Sequence, residues 1–329
     1  MRANLLALAC LAAAPADADT LIVGNKVADT LSFIDLETGR EIAERPTGRA
    51  PHEIAVSPDG RTAIVVSYRA QGYVGDAMHV FDVAAAKKTG VVDLHPHRAP
   101  HGLKWIPGGS TVIATTEASR DVVFVDVAAR ELTGAVATDQ DGTHMVALSP
   151  DGATAYAANI ASGSFTVIDV TARRKRRDVK AGEGTEAIAV TPDGAEIWVG
   201  NNGSRSVMAF DAATFERKRT IKTKGVPIRV EISPDGAGAA VSEFDANRVI
   251  ALSTETGETI ADVDLAAVDA AVPVTLLFSP QGDRLWAAAT GSAKIVEIAT
   301  DDWSIVRTLP AGEGSDGLGY SPVDLTVPE

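Results

Sequence analysis

Cysteine is almost absent from this sequence, and the single one, Cys10, falls in an apolar N-terminal segment. That segment has one arginine, an apolar run over residues 5–14 and alanines at positions 16 and 18, which is the pattern of a secretory signal peptide. We expect cleavage after Ala18. A chain that starts at Asp19 has no disulfide, no thiolate nucleophile and no cysteine to bind a metal.

A signal peptide predicts a periplasmic or secreted protein. Attachment of a lipid to Cys10 is the alternative. It is disfavoured because Ala7 stands where a lipidation motif has leucine, and because the apolar run continues beyond the cysteine. After this segment no apolar stretch is long enough to cross a bilayer, so no membrane span is expected.

Other absences exclude several classes of protein. Without CxxCH the chain cannot hold covalent c-type haem, and without a Walker loop or a dinucleotide fingerprint no nucleotide cofactor is expected. No GxSxG nucleophile elbow is present. The formal net charge of −14 argues against binding to nucleic acid. We interpret the basic run at residues 173–177 as a solvated strand face.

Turn residues, in contrast, recur regularly. A tetrad such as Ser57-Pro58-Asp59-Gly60 favours a tight turn, and it returns at intervals of 42 to 49 residues. Its seven prolines are Pro58, Pro107, Pro150, Pro192, Pro234, Pro280 and Pro322. This period matches one propeller blade of four antiparallel strands.

The chain begins out of phase with this repeat. Residues 20–48 supply only the second, third and fourth strands of a blade, and the missing first strand is found near residues 315–323. Pairing the two ends closes the ring and removes open sheet edges. We therefore predict an all-β fold, a single seven-bladed β-propeller over residues 19–329, with few or no helices.

The repeats resemble those of the YVTN-repeat family of secreted β-propellers. The resemblance rests on the PHEIAVSPDG turn unit, the strand-to-loop joints WVGNN (198–202) and YAANI (156–160), and third strands such as FTVID. It covers nearly all of residues 20–326. It implies the propeller fold but not one activity, because the family joins proteins of unknown activity with relatives of lactonases and lyases.

One position of the repeat carries candidate metal ligands. The residue six places before each turn proline lies at the channel mouth of a propeller, and three of the six histidines occupy it. In chain order this residue is His52, His101, His144, Glu186, Ile228, Val274 and Asp316. Histidine and carboxylate suit Zn²⁺, Cu²⁺ or Fe²⁺, so we predict a metal site at His52, His101, His144 and Glu186, bordered by Asp316.

Further residues are candidates for ligand binding. Tyr68 begins the longest loop between second and third strands, His97 and Arg98 precede His101, and Arg229 follows Ile228 as an anchor for a carboxylate. Residues at other top loops are interpreted as serving turn geometry: Glu117, Asn201, Asn202 and Glu243. The tryptophans at positions 105, 198 and 286 are expected in the core between blades.

Three functions remain open. The first is a monomeric binding protein for a small molecule or a metal ion. The second is a metal-assisted hydrolase or lyase that acts on a lactone or a carboxylated molecule, and the third is a scaffold for a protein partner. The histidines themselves have a structural alternative, in which their ring nitrogens bond loop backbone between blades.

Overall fold

The computed structural model describes residues 19–327 and contains seven antiparallel sheets of four strands each. The predicted signal peptide, residues 1–18, lies outside the described residues. Two 3-10 helices, Leu265–Val268 and Thr290–Ser292, are the helical elements within 19–327. Over this range no helix has the length and apolar character needed to span a membrane.

Six blades are continuous in the chain, and we number them in order with the inner strand first. Blade 1 contains β4 (Pro51–Val56), β5 (Thr62–Ala70), β6 (Tyr73–Asp82) and β7 (Lys87–Asp93). Blade 2 contains β8 (Pro100–Trp105), β9 (Thr111–Thr116), β10 (Asp121–Asp126) and β11 (Glu131–Ala137). Blade 3 contains β12 (Thr143–Leu148), β13 (Thr154–Asn159), β14 (Ser164–Asp169) and β15 (Arg174–Lys180).

The remaining blades have the same plan. Blade 4 contains β16 (Thr185–Val190), β17 (Glu196–Asn201), β18 (Ser206–Asp211) and β19 (Arg217–Lys222). Blade 5 contains β20 (Pro227–Ile232), β21 (Gly238–Glu243), β22 (Arg248–Ser253) and β23 (Thr259–Asp264). Blade 6 contains β24 (Pro273–Phe278), β25 (Arg284–Ala289), β26 (Lys294–Ala299) and β27 (Ile305–Pro310).

The closing blade joins the two ends of the chain. Its inner strand is β28 (Ser315–Ser321), followed by β1 (Thr20–Asn25), β2 (Thr30–Asp35) and β3 (Arg40–Pro46). β28 pairs antiparallel with β1, with Leu21 opposite Tyr320. The Ser321 hydroxyl donates to the Gly60 carbonyl at 2.7 Å and so links this blade to blade 1. The predicted fold and ring closure are confirmed.

The turn tetrads are structural. Ser57 Oγ donates to Asp59 Oδ1 at 2.5 Å and accepts from the Thr62 amide at 2.9 Å. Gly60 has a φ of 75°, and a Cβ on it would lie 2.6 Å from Pro322 Cδ of the neighbouring turn. Glycine is therefore needed both for the backbone conformation and for contact between blades.

The core lies between neighbouring blades, where strand faces pack on one another. Trp198 and Phe124 are fully or almost fully buried, and Trp286 is buried as predicted. Trp105 differs from its prediction, because it packs only at the margin of a core cluster and its indole N–H donates to the Gly109 carbonyl. It is the last residue of the inner strand β8 and stands just before a turn.

Each inner strand has a register irregularity in its pairing with the second strand. In blade 1 it falls between Pro51 and Ile54, and corresponding shifts occur in the other six sheets. Neighbouring residues of a regular strand point to opposite faces, but a bulge interrupts this alternation. As a result His52 and Glu53 both face the channel.

Candidate functional site

Three positions of the repeat define three rings of residues at one end of the channel, and each blade contributes one residue to each ring. The rim ring comprises Asp316, His52, His101, His144, Glu186, Ile228 and Val274, from the closing blade through blade 6. The floor ring comprises the next residue in each blade: Gly317, Glu53, Gly102, Met145, Ala187, Arg229 and Thr275. The collar ring follows the second strand: Lys26, Tyr68, Glu117, Ile160, Asn202, Phe244 and Thr290.

The rings enclose a cavity of about 300 Å³, which we call the cup. All seven rim residues line it, so the sequence register does bring them together. Its remaining lining residues are Lys26, Tyr68, Met145, Arg229, Phe244 and Thr290.

The three rim histidines form a stack across blades 1 to 3. The ring centroids of His52 and His101 are 4.2 Å apart, and those of His101 and His144 are 3.6 Å apart with an interplanar angle of 29°. All three side chains are buried. The stack follows from the ring geometry, because neighbouring inner strands present the same repeat position side by side.

His144 is held between two carboxylates. Its Nδ1 lies 2.7 Å from Glu117 Oε2, and its Nε2 lies 3.5 Å from Glu186 Oε1. Burial by itself would lower the pKa of His144, but the hydrogen bonds to Glu117 and Glu186 and their charges raise it to about 9. His144 is therefore an imidazolium at neutral pH, with a carboxylate near each ring nitrogen.

His52 and His101 have freer ring nitrogens. His52 Nε2 lies 3.2 Å from Asp316 Oδ2, while the Nδ1 atoms of both residues are buried without a hydrogen-bond partner in the described part of the chain. Burial and the nearby positive charges hold the pKa of His101 well below its usual range, so its ring is neutral. One ligand atom each from His52, Glu53 and His101 lie within 4.8 Å of one another.

Tyr68 enters the cup from an extended hairpin. β5 and β6 are longer than the strands of the other blades and meet at a tight turn. The Tyr68 hydroxyl donates to Glu117 Oε2 at 2.5 Å, and its ring lies edge-on to His101 at 4.5 Å. Burial and the Glu117 charge raise the pKa of Tyr68, so the hydroxyl keeps its proton. Tyr68, predicted to begin a loop over the mouth, thus lines the cup.

The floor of the cup is closed by a buried ion pair. The Arg229 guanidinium reaches across the channel to Glu53 and also contacts Thr275 Oγ1 at 3.0 Å and Met145 Sδ at 3.3 Å. Burial opposes ionisation of Glu53, but Arg229 and His52 outweigh it and lower the pKa of Glu53. Arg229, predicted as an anchor for a ligand carboxylate, already pairs with a carboxylate of the chain.

Two predicted ligand-binding residues lie outside the cup lining. His97 Nδ1 pairs with Asp121 Oδ2 at 2.8 Å, and the Arg98 guanidinium lies 3.4 Å from the Val74 carbonyl. The top-loop interpretation holds for Asn201 and Glu243, which accept from backbone amides of Gly182 and Lys224.

The sequence interpretation missed several residues of the cup. Glu117, assigned to turn geometry, bonds both Tyr68 and His144, and Asn202 donates to Glu186. Hydrogen bonds to His144 and Tyr68, with the Arg69 charge, lower the pKa of Glu117 to about 2 although burial raises it. A signal was present, because in six blades the collar residue stands ten places after the turn proline.

Lys26 is the collar residue of the closing blade and was also missed. Its amide donates to the Gly314 carbonyl at 2.9 Å, as the Tyr68 amide does to Ala50. Lys26 Nζ lies 3.9 Å from Asp316 Oδ2 and 5.3 Å from the centroid of the Tyr68 ring, and its side chain is 29% exposed. Lys26 is thus a cation of the cup whose ion pair with Asp316 is long.

Fold and site together define a seven-bladed propeller with one polar cup at a channel mouth. The profile of the family described as lactonase, 7-bladed beta-propeller matches residues 125–304, which is more than half of the chain. The chain belongs to this family. The finer resemblance to YVTN-repeat proteins rests on the motifs quoted above.

The comparison of structures agrees with the fold. A chain of Kuenenia stuttgartiensis hydrazine synthase superimposes with a TM-score of 0.76 at 20% sequence identity, over 85% of this chain and 92% of that one. At this identity the likeness shows the fold alone. The search of curated proteins found no match.

Proposed function

We propose that the cup binds one divalent transition-metal ion through His52, His101 and Glu53, and that the ion holds a small ligand in the cup. The observation that carries the proposal is a pair of neighbouring imidazoles with buried, unpartnered Nδ1 atoms beside a carboxylate. Neutral imidazole and carboxylate are the ligands that Zn²⁺, Cu²⁺ and Fe²⁺ accept, and three protein ligands leave a position open for a ligand molecule.

This ligand set differs from the one predicted from the sequence. His144 and Glu186 belong to the predicted set, but each ring nitrogen of His144 faces a carboxylate. A metal ligand needs a free lone pair on its nitrogen. We therefore assign His144 and Glu186 to the wall of the cup, where the charged imidazole borders the bound ligand.

The test is metal titration of residues 19–329 after treatment with a chelator. We expect one Zn²⁺ per chain, and at least about tenfold weaker binding in His52→Gln and His101→Gln. His97→Gln, outside the cup, is the matched control. His144→Gln should keep the ion. If it loses the ion as His101→Gln does, the set predicted from the sequence is correct, and if the unaltered chain binds no Zn²⁺, Cu²⁺ or Fe²⁺, the proposal is wrong.

Hydrolysis of a lactone is a second candidate, and membership of the lactonase propeller family favours it. In this reaction water adds to the carbonyl carbon, the ring C–O bond breaks, and the products are a carboxylate and a hydroxyl group. A bound metal ion would polarise the carbonyl oxygen. Lys26, whose Nζ lies 3.9 Å from Asp316 Oδ2, would pair with the carboxylate that forms.

Release of acid from small lactones, followed by titration at constant pH, tests this candidate. We expect Zn²⁺-loaded protein to release acid faster than buffer does, and Lys26→Met to raise KM more than it lowers kcat. Lys180→Met, on the outer strand β15, is the control. If the rate equals that in buffer, the protein does not hydrolyse these lactones, and the proposed binding function alone remains.

A further inference from the structure

The cup has a polar side and an apolar side. The closing blade and blades 1 to 4 supply all the charged residues of the rim ring, whereas blades 5 and 6 supply Ile228 and Val274. Phe244, the collar residue of blade 5, lines the same cavity and is 39% exposed. Ile228 and Val274 are both half-buried, so apolar surface remains open to the cup.

The two sides face each other across the channel. Blade 5 lies opposite blades 1 and 2 in a ring of seven, as the contact between Arg229 and Glu53 demonstrates. A molecule held at His52 and His101 therefore has its far end directed towards Ile228 and Phe244. At this level a single side chain, that of Arg229, spans the channel.

Apolar side chains open to water at the mouth of a polar cup have an unfavourable hydration free energy that a bound apolar group would remove. The repeat does not require them, because the same rim and collar positions hold histidine, glutamate, lysine and asparagine in other blades. Their grouping in two neighbouring blades is a property of the cup and not of the fold.

We propose that the ligand of the cup is a small amphiphile, with a carboxylate or carbonyl group on the histidine side and a hydrocarbon substituent against Ile228, Val274 and Phe244. This inference rests on the proposed function for the location of the polar end. It adds the class of ligand. We expect short-chain acyl compounds to bind, and fully hydroxylated sugar acids of the same size to bind more weakly.

Linear carboxylates from acetate to hexanoate are the probes, measured by isothermal titration calorimetry on residues 19–329 with and without Zn²⁺. Each added methylene that enters the apolar side should tighten binding roughly fourfold. Lys26 supplies a cation on the polar side in the metal-free protein too, so the chain-length series can be measured in both forms.

Ile228→Thr and Phe244→Ser test the apolar side without altering a proposed metal ligand. Both should flatten the dependence on chain length and leave Zn²⁺ binding unchanged. Ile260→Ser, at a residue of the outer strand β23 that is 54% exposed, should change neither. An equal dependence on chain length in Phe244→Ser and the unaltered protein would overturn the inference.

The two proposals fail in different ways. If affinity does not depend on chain length with or without Zn²⁺, the proposal of an amphiphilic ligand is wrong, even if Zn²⁺ binds. If no metal binds, the proposed metal site is wrong. A chain-length dependence that Phe244→Ser abolishes in the metal-free protein would then still support the amphiphilic ligand. Gluconate binding as tightly as hexanoate would also overturn the inference.

Discussion

At the scale of single residues, Glu53 and Arg229 form a buried ion pair at the floor of the cup. Both side chains are less than a tenth exposed, so each charge is largely shielded from bulk water. Removing one member of a buried pair leaves an uncompensated charge, whose cost exceeds the net stabilisation by the intact pair.

We therefore expect Glu53→Gln to lower the free energy of unfolding of the metal-free protein by about 3–5 kcal/mol. Urea unfolding at neutral pH measures this. The control is Glu131→Gln on the exposed face of β11, for which a change within about 0.5 kcal/mol is expected. A loss as small as the control's would mean that solvent or another group neutralises Arg229.

His79 gives a second prediction at this scale. It is buried beside Ser67 Oγ at 3.0 Å, and burial, assisted by the Lys88 charge, lowers its pKa to about 4. The unfolded chain takes up this proton near pH 6.5 and the folded chain only near pH 4. Stability should therefore decrease as the pH falls from about 6.5 to about 4, and this contribution should not change further below pH 4.

The measurement compares urea unfolding of the unaltered protein and His79→Gln at several pH values. The variant has no titrating group at this position, so its stability should fall less between pH 6.5 and pH 4. His97→Gln, which removes a histidine outside the core, serves as the control. If stability changes with pH in the same way in the unaltered protein and in His79→Gln, the pKa of His79 is the same in the folded and unfolded chain, and the prediction is wrong.

At the scale of strands, β28 has the greatest consequence for folding. It supplies the inner strand of the closing blade, and without it β1 has an open edge towards the channel. A chain that ends at Gly314 should lose its cooperative unfolding transition, because the ring is no longer closed. Circular dichroism during heating detects this loss.

A chain that ends at Asp324 is the matched control. It keeps β28 and the hydrogen bond from Thr20 Oγ1 to the Val323 carbonyl, and among the described residues it loses the contacts of 325–327. We expect a lower melting temperature but a single sharp transition. Equal transitions in the two shortened chains would contradict the role of β28.

The strands were predictable from the sequence to a greater extent than the site. The turn prolines specify the period, and the alternation of apolar residues specifies the strands, because both depend on local geometry. The rim ring followed from the same period. The hydrogen bond between His144 and Glu117 did not, since Glu117 belongs to the collar ring of the neighbouring blade 2 and its approach depends on packing between sheets.

Apart from Arg229, the floor ring was missed for a different reason. Regular alternation would turn Glu53 away from the channel if His52 faces it, and only the bulge brings both to the same side. Neither residue has the left-handed backbone conformation that marks some bulges with glycine. No residue type in the sequence therefore indicates that two successive side chains line the channel.

At the scale of the whole molecule, the net charge of −14 affects how ligands arrive. A negatively charged protein attracts cations and repels anions at long range, and salt screens both effects over about 10 Å at 0.1 M. We expect the association rate of Zn²⁺ to decrease between 10 and 200 mM salt, and that of hexanoate to increase.

Stopped-flow measurements with a metal-sensitive dye and with competing carboxylates give the two rates. An uncharged probe of similar size, such as a short primary alcohol, should show no dependence on salt. Rates of Zn²⁺ and hexanoate that change in the same direction would mean that local charges at the cup, and not the net charge, control access.

The bulge in each inner strand also makes the ring convenient for protein engineering. Every blade offers two successive codons, one for its rim-ring residue and one for the floor-ring residue beneath it, while the strands that carry them keep the same pairing. A combinatorial library could therefore vary the rim-ring residues, which would contact a ligand, and leave the floor ring unchanged. New specificities would be selected on this backbone without redesign of its hydrogen-bond ladders.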